Sequence, residues 1–509
     1  MRVQNAIRNS VFSFSAQIIQ IVARFVLQTI FIHQLGKTYL GVNGLFTNIL
    51  MILSLADLGI GSAISVGMYE PISKSDVTKI ASYMKLFKKA YMMIGVAVGV
   101  LGIALYPFLP IFMKGKKVSD VGIIFFLFLA NSVVSYFFSY NRTLFSAHQK
   151  EYINVVNVTS FQLIQYALQA IVLIFWQNFL LYLLLQVLCT LWSNIVISKK
   201  ARVVFPEIVA QTPNAPSLPV EEQRTLKRNV LELIGSRFGG VVLSGTDNLL
   251  ISSFIGLVST GIYSNYSLII LNLTTIINKV MNATIASVGN LAAEKNSARG
   301  EEVFLKHFFL NFTLCFFTST MLLNLFNPFV FIWAGRTYLF PFFVVFVIVL
   351  NFLCQQIRQT ALIFLMGYGT LKHQGIKSVI EAVVNLIVSL TLVTQTTLGI
   401  SGVLLGTIFT NLVINSWFEN RQVFHLGFHL PVKRFLVKQY ALLILTIVVM
   451  LGNYWLTVQI ELPNLVLNFF VRLILTFLID LIVFLLCFRK TVEFTYYVHL
   501  AKQLFMRKK

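Results

Sequence analysis

The sequence has few charged residues. They make up 11% of its 509 positions, whereas hydrophobic residues make up 57% and the mean hydropathy is +0.80. A soluble globular domain carries about 25% charged residues. The shortage of charge therefore excludes a soluble domain and indicates a polytopic membrane protein.

Acidic residues are the scarcest charges, with 18 Asp and Glu against 40 Lys and Arg and a formal net charge of +22. Such an excess could suggest nucleic-acid binding, but its distribution argues against it. If the N-terminus is cytoplasmic, most basic residues fall in cytoplasmic segments, and the outer loops hold only Lys37, Lys114, Lys116, Lys117 and Arg336. The excess is mostly an orientation signal that faces anionic inner-leaflet lipid.

Cysteines and catalytic motifs are also few. The four cysteines all lie inside apolar runs, so neither a disulfide framework nor a metal cluster is indicated. No nucleophile constellation or phosphate-binding loop is present, and the outer connections are short. We therefore expect a protein that is not an enzyme, with no catalytic residues, no metal and no cofactor.

Long apolar runs are what the sequence has in abundance. About 20 apolar residues suffice for a helix to cross a bilayer, and we predict an all-α integral membrane protein with about fourteen transmembrane helices. The first run follows residues 1–9 without a small-residue cleavage site, so we interpret it as a retained helix rather than a signal peptide. The runs cover residues 11–32, 42–68, 89–113, 121–145, 153–175, 177–198, 235–256, 262–288, 305–333, 338–366, 376–397, 400–418, 436–458 and 464–488.

One long polar connector divides these runs into two six-helix lobes. It contains three prolines and has basic clusters on both sides, as expected of a cytoplasmic linker. We predict an N-terminal lobe over residues 1–205, the linker over 206–228, a C-terminal lobe over 229–430, two additional helices over 431–490 and a basic cytoplasmic tail over 491–509.

The two lobes resemble each other in sequence when one is shifted by 220 residues. Gly36 and Gly41 then fall on Gly256 and Gly261, and each pair joins a first apolar run to a second. Both lobes also begin with a polar-striped run that carries one arginine. Six spans make the copies parallel, and such repeats typically place a binding site between lobes near the middle of the membrane.

The first run carries a polar stripe around a central arginine. Gln17, Gln20, Arg24 and Gln28 recur at steps of three and four, so they share one helical face. An unpaired charge at this depth costs about 3 kcal/mol or more. We predict that the stripe lines a water-filled cavity and that Arg24 binds an anionic ligand. The alternative is a structural arginine paired with a carboxylate on a neighbouring helix.

Further polar residues follow on the seventh and eighth runs. Arg237 and Ser244 lie at helical spacing, with Asn248 beside them, and Lys279 lies on the eighth run. We predict that all four contribute to substrate binding. Two alternatives stay open: Arg237 could extend to cytoplasmic lipid phosphate, and the polar residues of the eighth run could form hydrogen bonds between helices.

Three carboxylates inside apolar runs are candidates for coupling to Na⁺ or H⁺. They are Asp57, Asp247 and Glu381. A carboxylate in the membrane can serve in this way because its charge can be neutralised when the protein changes state. The alternative is that they form ion pairs, Asp247 with Arg24 across the lobe interface and the other two inside their own lobes.

Other charges in the spans have simpler interpretations. Arg142 and Arg358 lie near the inner ends of the fourth runs of their lobes, where the positive-inside rule is one explanation. On the last run Arg472, Thr476 and Asp480 share a face, and we expect them to pair with one another.

Buried arginines in a cavity with few acids favour an anionic substrate, since a desolvated guanidinium binds phosphate oxygens bidentately. Ser, Asn and Gln side chains could form hydrogen bonds to sugar hydroxyls. A lipid-linked sugar diphosphate would satisfy both, with its head group in the cavity and its tail in the bilayer.

The sequence resembles the repeat-unit flippases of bacterial capsule, O-antigen and exopolysaccharide synthesis, the polysaccharide-transport branch of the multidrug/oligosaccharidyl-lipid/polysaccharide (MOP) superfamily. The resemblance covers nearly the whole chain and is carried by short motifs. These are Arg24, residues 45–48 (LFTN), 55–63 (LADLGIGSA), 146–150 (SAHQK), 245–249 (GTDNL) and 380–385 (IEAVVN).

The resemblance implies two six-helix lobes in a V shape, two additional helices, and transfer of an undecaprenyl-diphosphate oligosaccharide to the outer leaflet of the bacterial plasma membrane. Both termini would be cytoplasmic, and a polysaccharide polymerase and glycosyltransferases would be partners. Related peptidoglycan-precursor flippases use arginines of the first span for the diphosphate. Only Arg24 matches here, because Gln17 and Gln20 occupy the other positions.

Two alternative functions stay open on the sequence alone. A drug or cation antiporter of the same fold would use Asp57, Asp247 and Glu381 as cation ligands. A glycan polymerase or acyltransferase would need a sizeable outer loop that carries Arg, His or Asp, and no such loop is present.

Overall fold

The computed structural model of the protein describes residues 2–54, 60–114, 118–137, 139–294, 296–369, 374–460 and 462–506. Over these residues the regular secondary structure is helical. The α-helices are α1 (Arg2–Leu53), α2 (Ile60–Ser73), α3 (Val77–Leu105), α4 (Leu109–Phe112), α5 (Val121–Tyr136), α6 (Arg142–Ala147), α7 (Glu151–Trp176), α8 (Phe179–Val204), α9 (Pro206–Gln211), α10 (Val220–Leu250), α11 (Leu257–Asn282), α12 (Ile285–Ala293), α13 (Ser297–Ala334), α14 (Phe342–Gln356), α15 (Gln359–Gly367), α16 (Gln374–Gln395), α17 (Ile400–Thr410), α18 (Ser416–Gln422), α19 (Lys433–Val458), α20 (Leu465–Phe488) and α21 (Val492–Met506).

The helices account for the predicted apolar runs. Within the described residues, eleven helices are long and apolar enough to cross a membrane, or twelve if the bent pair formed by α5 and α6 is one span. Each predicted run lies on one or two helices, and α1 holds the first run and part of the second on either side of a kink at Gly36. The predicted all-α, multi-pass membrane fold is confirmed.

The chain forms two compact units. Unit 1 comprises residues 1–261 and 374–379, and unit 2 comprises residues 262–373 and 380–509. Helix α10 and the π-helical turn Ile251–Ile255 therefore belong to unit 1. The lobe boundaries drawn from the sequence stay a prediction.

Unit 1 is built on a layer of packed helices. Helix α1 packs along α7, α7 along α8, α8 along α5, and α5 along α3, while α10 lies against α1. The connector after α8 also packs onto this unit. Lys85 donates a hydrogen bond to the carbonyl oxygen of Ala215 at 2.7 Å, and Lys79 forms an ion pair with Glu222 at 2.8 Å. The polar connector is thus held against α3.

Four glycines form a reciprocal crossing in unit 1. Gly36 and Gly256 both adopt positive φ angles, 72° and 120°, a region open mainly to glycine. A Cβ atom on Gly41 would overlap the backbone of Leu257, with its carbonyl carbon only 2.8 Å away. A Cβ on Gly261 would overlap the backbone of Lys37 and lie 2.9 Å from the nitrogen of Gly41. Leu257 is the 220-residue equivalent of Lys37, so the contact is symmetric and supports the predicted repeat.

Unit 2 is organised around α13. Helices α14, α19 and α20 pack along it. Fully buried phenylalanines fill the contacts: Phe304 lies 4.9 Å from both Phe364 and Phe435 between ring centroids, and Phe316 lies 5.7 Å from Phe484. Much of the phenylalanine content of the protein therefore serves helix packing rather than ligand recognition.

Candidate substrate-binding site

The polar stripe of the first run lies on α1 beside α7. Gln20 donates a hydrogen bond to the hydroxyl of Thr159 on α7 at 2.8 Å. Arg24 is exposed, and its guanidinium is close enough to Tyr166 and Tyr182 to act electrostatically on both phenols. No carboxylate among the described residues forms an ion pair with Arg24. The alternative of a structural ion pair therefore finds no support within that part of the chain.

The other two residues of the stripe are half-buried. Gln17 lies one turn before Gln20 and two turns before Arg24 on α1. Gln28 lies one turn after Arg24 and is engaged with a neighbouring group. Helix α1 therefore presents amide groups above and below the guanidinium.

Several predicted site residues cannot be placed. Asp57 lies in the gap at residues 55–59, and the side chains of Arg237 and Ser244 lie outside the described part of the chain. On α10, Asp247 is buried, Asn248 is half-buried, and both are engaged with neighbouring groups. The predictions for Asp57, Arg237 and Ser244 stay predictions.

Lys279 and Glu381 both lie in unit 2. Lys279 is half-buried near the end of α11, and it too is engaged with a neighbouring group. Glu381 is buried on α16. The structure therefore brings Arg24 and its glutamines together in unit 1, whereas Lys279 and Glu381 both belong to unit 2.

A polar cavity of about 560 Å³ lies in unit 1. Helices α3, α5, α6, α7 and α8 supply its walls, together with Ser139 just before α6. Amide and hydroxyl groups dominate the lining, and they belong mainly to Asn131, Ser135, Gln162, Gln165, Tyr166, Gln186, Thr190, Ser193 and Asn194. Because Tyr166 also lies near Arg24, the cavity and the arginine of the first run are neighbours.

Arg142 at the start of α6 is the one charged side chain among the described residues that line this cavity. Its Nη2 atom donates hydrogen bonds to Ser193 at 2.9 Å and to Asn194 at 3.2 Å, both uncharged. Its Nη1 atom is buried and has no hydrogen-bond partner among the described residues. A buried donor without a partner is costly, so the described neighbours of Arg142 leave part of its hydrogen-bonding capacity unused.

Sequence reasoning gave the positive-inside rule as one explanation of Arg142 and missed the cavity. The signal was nevertheless present. Gln162, Gln165 and Tyr166 follow at steps of three and one on α7, and Gln186 and Thr190 are four residues apart on α8. Polar residues at helical spacing on two adjacent spans predict a shared polar surface.

Arg358, which sequence reasoning compared with Arg142, has a different environment. Its Nε and Nη2 atoms donate to the two carboxylate oxygens of Glu419 at 2.9 and 2.5 Å, and its Nη1 donates to Asn411. Glu381 lies 3.8 Å from Nη1 and accepts a hydrogen bond from Asn415 at 2.5 Å. Arg358 is thus held by acids inside unit 2, and Glu419 is the closer of the two.

Solved structures with the same fold include transporters of the MOP superfamily. The lipid II flippase MurJ in an inward closed conformation aligns with a TM-score of 0.66 at 12% identity, covering 96% of this chain and 100% of that one. An inward-facing multidrug resistance transporter of the MATE family aligns with a TM-score of 0.64 at 17% identity, covering 85% and 98%.

A MOP superfamily transporter from Pyrococcus furiosus, described as having a binding pocket of reverse polarity, aligns with a TM-score of 0.52 at 16% identity, covering 87% and 96%. No curated protein sequence matches the chain.

These likenesses and the spans define the class: a multi-pass membrane protein with the fold of the MOP superfamily structures. Within that class the chain belongs to the polysaccharide biosynthesis protein family, which matches residues 6–286.

Proposed function

We propose that the protein is a flippase that moves a polyprenyl-diphosphate-linked oligosaccharide, such as an undecaprenyl-linked capsule or exopolysaccharide repeat unit, from the inner to the outer leaflet. The observation that carries the proposal is the polar cavity of unit 1, with the unpartnered Nη1 atom of Arg142 in its lining. The family and the MurJ-like fold support a lipid-linked cargo.

The chemistry of the cavity suits such a head group. Sugar hydroxyls both donate and accept hydrogen bonds, as do the amides and hydroxyls that line the cavity. A phosphate oxygen would complete the hydrogen bonding of Arg142, and a guanidinium is well shaped for phosphate. Arg24, exposed nearby on α1, would supply the second positive charge for a diphosphate. In this proposal Gln17, Gln20 and Gln28 extend the polar path along α1.

The proposed transport cycle is alternating access coupled to Na⁺ or H⁺. Among the predicted coupling carboxylates, Glu381 is buried and lies 3.8 Å from Arg358, whose closer acidic partner is Glu419 at 2.5 Å. A buried carboxylate can exchange a charged partner for a cation or a proton as helices move.

In the cell we place the protein in the bacterial plasma membrane with both termini in the cytoplasm. The arrangement follows from the basic residues that collect in the predicted inner segments. Glycosyltransferases that build the cargo and a polymerase that consumes it would be its functional partners.

The alternative is a cation-coupled drug antiporter of the same fold. It would need acidic groups in the binding cavity to receive a cationic drug. The described residues that line the unit 1 cavity include an arginine and no Asp or Glu, which favours an anionic cargo. Resistance to cationic drugs conferred by this chain, with no effect on glycan export, would select the alternative.

The test is a leaflet assay of lipid-linked oligosaccharide with the purified full chain in proteoliposomes. Arg142→Gln keeps hydrogen-bonding capacity but removes the charge. We expect transport to fall about tenfold to a hundredfold, since a hydrogen bond to a charged group contributes about 1.5–3 kcal/mol. Arg24→Ala should also reduce transport, and Arg24→Lys should restore part of it, because it keeps the charge without the planar fork.

The matched control is Arg202→Gln, which makes the same change at an exposed arginine on α8. It should transport like the unmodified protein. If Arg142→Gln and Arg24→Ala both transport like this control, the proposed binding site is wrong.

A further inference from the structure

A buried carboxyl group lies between α13, α19 and α20 in unit 2. Asp480 on α20 is completely buried. The Oδ1 atom of Asp480 accepts a hydrogen bond from the amide of Asn453 on α19 at 3.0 Å, and its Oδ2 lies 2.5 Å from the hydroxyl oxygen of Thr320 on α13. One side chain thus joins three helices.

The expected pairing of Asp480 with Arg472 does not form. The two residues are eight apart on α20, which separates them by about 12 Å along the helix axis. Arg472 donates instead to the carbonyl oxygens of Val458 and Ile460, at 3.2 and 2.9 Å. Among the described residues, no Lys, Arg or His forms an ion pair with Asp480. A charged carboxylate here would therefore lack a counter-cation in a span, which costs several kcal/mol.

The hydrogen bonds of Thr320 indicate where a proton lies. Its hydroxyl oxygen has three oxygen neighbours: the carbonyls of Phe316 and Phe317 at 2.9 and 3.0 Å, and Oδ2 of Asp480 at 2.5 Å. A hydroxyl has only one hydrogen to donate. If that hydrogen points to a backbone carbonyl, as is usual for threonine in a helix, the 2.5 Å contact needs a hydrogen from Asp480.

Two oxygens close to Asp480 also have incomplete hydrogen bonding among the described residues. Asn453 Oδ1 and Thr476 Oγ1 have no hydrogen-bond partner among the described residues, although the two side chains are 1% and 0% exposed. Both belong to the cluster, because the amide nitrogen of Asn453 bonds to Asp480 and also to the carbonyl of Thr476 at 3.2 Å. The Oδ1 atom of Asn453 is thus a buried acceptor without a donor beside the carboxyl group of Asp480.

We propose that Asp480 is a proton-binding site that is neutral and protonated in this conformation, donating a hydrogen bond from its Oδ2 to Thr320. Release of the proton leaves a negative charge in the bundle, so it requires α20 to separate from α13 and α19 or a cation to enter. Proton binding at Asp480 is therefore coupled to the packing of the last two spans on α13. This site is separate from Glu381.

Infrared difference spectroscopy on the full chain in lipid, at neutral pH, tests the proposal directly. The unmodified protein should show the carbonyl stretch of a protonated carboxylic acid, and Asp480→Asn should lack that band. The amide that this substitution introduces has a shape similar to the carboxyl group and can still bond to Thr320, so we expect the variant to fold. Absence of any band lost on substitution would overturn the proposal.

Two further measurements identify the bound species and the hydrogen bond. Thr320→Val removes the acceptor, so the acid band should persist but shift toward that of a carboxyl without a hydrogen bond. An unshifted band would refute the assigned donation. The spectrum should be the same in NaCl and in choline chloride, whereas a band that appears only without Na⁺ would assign the site to a metal cation and refute protonation.

Discussion

Adding one methyl group at Gly41 should destabilise the protein far more than adding it at Gly452, although both glycines lie inside helices. The Cβ of Gly41→Ala would lie 2.8 Å from the carbonyl carbon of Leu257 and overlap its oxygen, whereas ordinary contact begins at 3.4 Å. The obstacle is backbone on both sides, so no side-chain rotation relieves it. At Gly452 on α19 nothing lies within 4 Å.

The expected change in unfolding free energy for each substitution follows from the room around the glycine. Overpacking in a core costs typically 1–3 kcal/mol, and a backbone-to-backbone clash belongs at the upper end, so we expect Gly41→Ala to cost about 3 kcal/mol. Gly452→Ala should be neutral or stabilising by up to about 1 kcal/mol, because alanine favours the helix. Gly36→Ala falls between them: it meets nothing within 4 Å, but its φ of 72° costs an alanine about 1–2 kcal/mol.

Thermal unfolding of the purified full chain in detergent measures the order of these three effects on stability. We expect the midpoint to fall by several degrees for Gly41→Ala, by less for Gly36→Ala, and not at all for Gly452→Ala. Gly261→Ala, the equivalent position, should behave like Gly41→Ala. Equal midpoints for Gly41→Ala and Gly452→Ala would refute the close crossing.

Two further predictions concern ionisable groups of unit 2. Glu419→Gln leaves Arg358 buried with a weaker partner, so this substitution should destabilise the protein by about 3 kcal/mol or more. Glu381→Gln should destabilise it less. Thermal midpoints that fall in the opposite order would contradict this assignment. Partial burial raises the pKa of Glu493 on α21, but the hydrogen bond and charge of Lys438, 2.6 Å away, outweigh it, so the pKa lies below the usual 4.5. The ion pair should therefore stabilise the position of α21 above pH 4.5 and be lost as the pH falls further: hydrogen exchange over α21 should increase there, and Glu493→Gln should abolish that dependence.

The membrane fold and the repeat could be predicted because each depends on one-dimensional patterns. Apolar runs of the length of a bilayer give spans wherever they occur, and Gly36 and Gly256 mark the same kink in both copies. The sequence also indicated that Arg24 lies on a polar face, since helical spacing alone decides which residues share it.

The partners of buried charges could not be predicted from the sequence. Arg142 and Arg358 look alike in sequence, yet one is bound by Ser193 and Asn194 and the other by Glu419. These partners come from helices that are about 50 or more residues away, and only the three-dimensional packing selects them. The same reason explains Asp480, whose bonds go to α13 and α19 rather than to its own helix.

The π-helical turn Asn411–Asn415 has a consequence for the ion pair of Arg358. A π turn holds one residue more than an α turn, and each residue rotates a helix by about 100°. The extra residue therefore turns Glu419, which follows it in α18, toward Arg358, while Asn411 and Asn415 at its two ends bond to Arg358 and Glu381. A chain one residue shorter here would form a more regular helix and point the carboxylate of Glu419 elsewhere. The π-helical turn therefore allows the ion pair of Arg358 and Glu419 to form inside the span.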